Sequence, residues 1–109
     1  MYAETLSINH PRYSNHQLFI DDRSRVSVTT VEPEQQSQIS CHIHASKQII
    51  VLDGYAEVDI QNARIALFEG QSTHIPNGIE HRIINSGKIP FKYVEIRTGP
   101  YIEDDDNLS

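Results

Sequence analysis

Tryptophan is absent, cysteine occurs once, and the other aromatics are three phenylalanines and five tyrosines in 109 residues. The single cysteine, Cys41, excludes an internal disulfide. Positive charge is scarce: nine Lys and Arg stand against fifteen Asp and Glu, for a net charge of −6. That balance argues against a surface for nucleic acid or an anionic membrane. Long apolar runs are missing too. The longest near-apolar run, 49–52, is far too short to span a bilayer. The first fourteen residues are polar and lack the apolar centre of a secretory signal. A cytoplasmic protein with no membrane or nucleic-acid partner is therefore expected. No stretch shows helical periodicity, low complexity or an internal repeat. The length suits one domain with a modest core, to which burial between two copies would add.

What is present is a series of short β-patterns separated by turn residues, the signature of an all-β sandwich or barrel. From Arg25 onward, Val26, Val28 and Thr30 alternate with polar or small residues, and Glu32, Pro33 and Glu34 make a turn. A strand is expected over 39–44, with Cys41 as plain core. Another covers 47–52, apolar on both faces and so central or at an interface. Asp53 and Gly54 read as a tight hairpin turn. Ala56, Val58 and Ile60 form the next apolar face, 64–68 a further strand and 91–97 a last long one. The segment 1–24 reads as irregular or edge, 25–102 as the barrel, and 103–109 as an acidic tail.

The chemistry concentrates in two motifs. Gly70, Pro76, Gly78, His81 and Asn85 spell G-x5-P-x-G-x2-H-x3-N, and upstream His42 and His44 form H-x-H, closed by Gly54. Pro76, Asn77 and Gly78 suit a turn, since proline presets φ and Asn-Gly tolerates positive φ. In a strand, alternate residues share a face, so His81, Ile83 and Asn85 point one way, as do His42 and His44. Two histidines from one strand and one from a distant strand can converge on a metal, and imidazole suits zinc, copper, iron and nickel. The other reading is a set of pocket histidines hydrogen-bonded without metal.

The two motifs, in this order, resemble those of the cupins, which implies a single-domain double-stranded β-helix, or jelly-roll, barrel. From Arg25 to Asp106 the chain is similar to the cupin module of type II mannose-6-phosphate isomerase/mannose-1-phosphate guanylyltransferases. The match rests on Gln71, Ser72, Thr73, Ile75, Pro76, Gly78, His81, Arg82, Asn85, Gly87, Lys88, Ile89, Pro90, Glu95, Gly99, Tyr101 and the acidic run 103–105. The resemblance implies interconversion of mannose 6-phosphate and fructose 6-phosphate, and a divalent metal such as zinc, manganese, nickel or iron. It places the metal ligands on His42, His44 and His81 with a carboxylate as fourth, and keeps Glu95 as a pocket group. No guanylyltransferase domain is seen in this stretch, so nucleotide transfer is not expected of it.

The chain departs from the family on the ligand strand. The family reads H-x-H-R-A-E-H-W; here Ala45 replaces the arginine, Lys47 the glutamate and Gln48 the next histidine. The basic residues of the upstream strand are Ser27 and Val28. Two registers stay open. Either Lys47 faces the pocket, where its ammonium binds a phosphate or carboxylate, or Gln48 faces it as an oxygen ligand. Lys47 and Glu95 are thus the candidate catalytic groups, Lys47 and Gln48 the candidate substrate contacts, and His42, His44, His81 and Gln48 the candidate metal ligands. Three functions follow: an isomerase with weakened chemistry, a non-catalytic sugar- or sugar-phosphate-binding cupin, or another metal cupin enzyme such as a dioxygenase. A homodimer is expected from the two-sided apolar run 49–52.

Overall fold

The computed structural model describes residues 6–9, 13–37 and 39–100. Ten strands and no helix occur among them: β1 Leu6–Asn9, β2 Tyr13–Ile20, β3 Ser24–Val31, β4 Gln35–Gln36, β5 Ser46–Asp53, β6 Tyr55–Ile60, β7 Ala63–Phe68, β8 Ser72–Ile75, β9 His81–Asn85 and β10 Phe91–Thr98. They form two antiparallel sheets. One has six strands in the order β1-β2-β3-β10-β5-β8, and the other four in the order β4-β9-β6-β7. The acidic tail, Tyr101 and the segment 10–12 lie outside the described residues.

The inner faces meet in an apolar cluster of Val31, Ile49, Val51, Ala56, Val58, Leu67, Ile75, Ile83, Phe91 and Tyr93. The barrel is not apolar throughout. On the six-stranded sheet, Phe91 pairs Val31 at one end. Tyr93 next sits between Thr29 and Val51, and Glu95 between Ser27 and Ile49. Arg97 finally sits between Arg25 and Lys47. The sheet therefore grades from a greasy floor to a cationic end, one cross-strand row at a time.

Three expectations are corrected. The segment 1–24, expected as irregular or edge, is edge and not irregular: it carries β1 and β2, which extend the large sheet beyond β3 and end it at β1. Its strand pattern is inverted: Gln17 is buried while Leu18 is exposed, so apolar alternation does not announce it. Gly54 does not close a hairpin. β5 pairs with β8 and β10, whereas β6 pairs with β7 and β9. Gly54 is instead the corner where the chain passes between sheets, at φ 89°, which favours glycine. A Cβ there would lie 2.7 Å from the Pro90 carbonyl oxygen. The stretch 39–44 is not a regular strand; it holds only isolated bridge residues, Ser40, which pairs with His81, and His42.

Asn85 shows why the second motif ends in asparagine. Its amide nitrogen donates to the carbonyls of Val31 and Ile89, and its side-chain oxygen accepts from the Gly87 N–H. A buried side chain thus pins the 86–90 loop to β3 with all three bonds satisfied.

Candidate functional site

The turn before β9 positions the first histidine. The Gly78 N–H donates to the His42 carbonyl at 2.7 Å, and the Asn77 amide donates to the Ile43 carbonyl. Ser40 and His81 exchange two backbone hydrogen bonds of 2.9 Å. The two motifs are thereby stitched together, and the His42 and His81 rings come to 5.8 Å between centroids.

Both histidines line a cavity of about 210 Å³ at the polar end of the barrel. The large sheet contributes Asn15, Arg25, Thr29, Lys47, Tyr93, Glu95 and Arg97; the 37–42 segment adds Ser37 and Ser40. Among the described residues, three cationic side chains, Arg25, Lys47 and Arg97, face it with one carboxylate, Glu95. They come from three neighbouring strands in a single cross-strand row. Like charges directly opposite on a sheet repel, so this row needs counter-charge. Glu95 gives one oxygen to Lys47 at 3.3 Å and the other to Arg97 at 3.2 Å.

The register on β5 is settled. Lys47 is 6 % exposed and points inward with Ile49 and Val51. Gln48 is exposed on the outer face and contributes nothing to the cavity, so its expected roles as metal ligand and substrate contact do not hold. His44 does not line the cavity either. The chain bends at Ile43 and His44, and the same-face rule for residues two apart holds only in a continuous strand. The His44 carbonyl abuts Gly99, where no Cβ would fit. Glu95 is in the cavity as the resemblance implied. His74 is exposed, and Arg82 points outward to Asp59 at 3.5 Å. Cys41, expected as plain core, is half-buried and in no disulfide.

The electrostatics follow from burial and this crowding of charge. Burial, with Lys47 and Arg97 nearby, holds His42 down to about 3. Burial and Lys47 hold His81 to about 4. Both rings are therefore neutral at neutral pH. Burial also lowers Lys47, although Glu95 pulls the other way. Burial alone would raise Glu95, but Lys47 and Arg97 outweigh it and bring the carboxyl to about 2. His81 Nδ1 lies 3.0 Å from the Ile79 carbonyl and donates to it, so Nε2 carries the lone pair. Lys47 Nζ donates to that atom at 2.7 Å. His42 is 3 % exposed, and among the described residues neither ring nitrogen has a partner.

This donor set does not suit the divalent metal that the resemblance implies. Among the described residues no three His, Cys, Asp or Glu side chains are grouped to hold an ion. His44 is turned away, the His81 lone pair is taken by an ammonium, and Glu95 is shared between two cations. Arg25 and Arg97 are the site residues that the sequence reading missed. Both were within reach of period two: Arg97 is two residues beyond Glu95, and Arg25 two before Ser27.

Two antiparallel sheets closing on a polar cavity, with one histidine from each motif in its wall, define a cupin. Residues 4–109 match the family profile Mannose-6-phosphate isomerase C-terminal, and the chain belongs to that family. It is 36 % identical over 85 residues to a putative mannose-1-phosphate guanylyltransferase of Vibrio cholerae, covering 78 % of this chain and 18 % of that protein. It is 41 % identical over 85 residues to a mannose-1-phosphate guanylyltransferase of Sinorhizobium fredii, covering 78 % of this chain and 17 % of that one. The chain thus spans under a fifth of the length of these curated relatives. The cupin domain of Schizosaccharomyces pombe Cnp3 shares the fold, with a TM-score of 0.78 at 16 % identity over 84 % of this chain and 69 % of that one. Among the described residues no helix is long and apolar enough to cross a membrane.

Proposed function

We propose that this cupin binds a phosphorylated hexose of the mannose 6-phosphate class in its barrel cavity. The observation that carries the reading is the row Arg25, Arg97 and Lys47, three cations that line the cavity with one carboxylate among the described residues, in a chain of net charge −6. Such a row supplies the counter-charge and fork-like donors that a phosphate takes. The hydroxyl and amide groups of Asn15, Thr29, Ser37 and Ser40 around it suit sugar hydroxyls. The volume, about 210 Å³, is below the roughly 300–1,000 Å³ of drug-sized pockets, which favours a monosaccharide over a nucleotide sugar. Isothermal titration tests it. Mannose 6-phosphate should bind and mannose should not, and Arg97→Gln should weaken binding at least tenfold, about 1.4 kcal/mol. Equal affinity for the two sugars would overturn the reading.

A second reading, aldose–ketose isomerisation, is favoured by His42. A neutral imidazole with both nitrogens unengaged stands in the same cavity as an ammonium. The reaction needs a base to carry a proton between C1 and C2 and positive charge to steady the enediolate oxygen. Ala45 and Lys47 replace the arginine and glutamate of the family pattern, and an imidazole held near 3 is a weak base, so slow turnover is expected. An enzyme-linked assay for fructose 6-phosphate, with His42→Ala as control, decides it; rapid turnover that survives His42→Ala would remove this role for the imidazole.

A further inference from the structure

We propose that the Lys47 ammonium occupies the seat of a divalent cation in this cavity, so that the cavity holds its anionic ligand without a metal. This rests on the sugar-phosphate reading for the identity of the ligand, whereas the exclusion of a metal by Lys47 does not depend on which anion binds.

Three observations carry it. The first is the lone pair on His81 Nε2. The Ile79 carbonyl takes the Nδ1 proton and fixes this tautomer. The lone pair that a metal would use then points at Lys47 Nζ, 2.7 Å away. A zinc–imidazole bond is about 2.1 Å long, so an ion on that lone pair would sit about 0.6 Å from the ammonium nitrogen. The two are mutually exclusive.

The second is the carboxylate. Lys47 also takes Glu95 Oε1 at 3.3 Å, while Oε2 is bound by Arg97. The ammonium thus gathers one imidazole nitrogen and one carboxylate oxygen, the donor types of a zinc or manganese site. The third is His42, 3 % exposed in the wall of the same cavity, with neither ring nitrogen engaged among the described residues. It is left available to the hydroxyl or anionic oxygen of a ligand rather than to an ion. A lysine delivers one positive charge where a metal delivers two, and the Arg97 guanidinium stands beside it in the same cross-strand row.

The test is titration of the EDTA-dialysed full chain with Zn²⁺, Mn²⁺ and Ni²⁺. The wild type should take up no stoichiometric metal. Lys47→Glu, which restores a carboxylate beside His42 and His81, should bind zinc at least tenfold more tightly than wild type. Lys47→Met, which frees Nε2 while keeping the packing, should fall between them; it serves if the glutamate variant does not fold. One equivalent of zinc bound by wild type and lost in His81→Ala would overturn the proposal, as would zinc affinity unchanged in both lysine variants. Mannose 6-phosphate is then titrated into wild type in EDTA and again with Mn²⁺. Equal affinity supports a metal-free site, and a metal requirement overturns it. Absence of sugar-phosphate binding in both would sink the sugar-phosphate reading, while the zinc titration would still decide on Lys47.

Discussion

Replacing Glu95 by glutamine isolates the counter-charge on which the cationic row depends. The substitution keeps the shape and removes one negative charge, leaving Arg25, Arg97 and Lys47 facing one another across adjacent strands. Two routes give the size of the effect. Breaking a buried ion pair by removing one partner costs about 3–5 kcal/mol. Independently, holding the carboxyl from 4.5 down to about 2 corresponds to about 3 kcal/mol in favour of the ionised form. A ceiling also exists, because Lys47 can shed its proton. Neutralising a lysine of ordinary pKa at pH 7 costs about 4.7 kcal/mol, so the loss cannot far exceed that. A destabilisation of about 3–4 kcal/mol at pH 7 is expected, read from urea melts by circular dichroism.

The same reasoning fixes a pH dependence for the variant. Glu95 is the group that pulls Lys47 upward; without it the folded-state value falls further below that of the unfolded chain. Between those two values the unfolded chain holds the proton and the folded chain does not. Stability of Glu95→Gln should therefore rise with pH, by up to about 1.4 kcal/mol per pH unit. Melts at pH 7 and pH 9 should show the variant recovering relative to wild type. A loss below about 1 kcal/mol, or one that is flat with pH, would refute the view that these charges are buried against each other.

The barrel was legible because the second motif is structural as much as chemical. Pro76, Asn77 and Gly78 make the turn, His81 opens the strand, and Asn85 is explained by its three hydrogen bonds. The cavity was less legible for a physical reason. Strands that line a polar cavity bury polar residues, so β2 hides Gln17 while Leu18 is exposed, and β3 buries Ser27 and Thr29. Reading apolar as inward fails on those strands. Period two can place Arg25 and Arg97 on inward faces, but it cannot show that they and Lys47 meet in one row. Arg25, Lys47 and Arg97 are brought together by strand order and register, which no local pattern records. The choice between Lys47 and Gln48 turned on which half of a two-sided apolar strand faces in, and Ile49 and Val51 decide it. Gly54 misled because a sheet-to-sheet corner and a hairpin turn demand the same backbone freedom.

Other consequences follow from the same geometry. Gly54→Ala should cost roughly 1–3 kcal/mol in a urea melt, since φ is 89° and the Pro90 carbonyl leaves no room; a neutral result would mean that the corner is not strained. A homodimer is expected through the outer face of β5, where Leu52 is 44 % exposed beside half-buried Ile50; a monomer by sedimentation at micromolar concentration would refute it. The acid response is the sharpest of these tests, because two neutral buried imidazoles make the fold sensitive well above the range where carboxylates titrate. His42 and His81 are held near 3 and 4 from an ordinary 6.5. Below 6.5 the unfolded chain takes up protons that the folded chain refuses, so stability is full above 6.5 and declines as pH falls. Linkage gives about 2 kcal/mol lost per ring by pH 5. Glu95, whose window lies below 4.5, does not contribute there. Urea melts at pH 7 and pH 5 should therefore differ by about 3–4 kcal/mol, and His42→Asn should remove about half of that difference. Equal stability at the two pH values would mean that the cavity admits solvent to both rings, and that neither is kept neutral by the barrel.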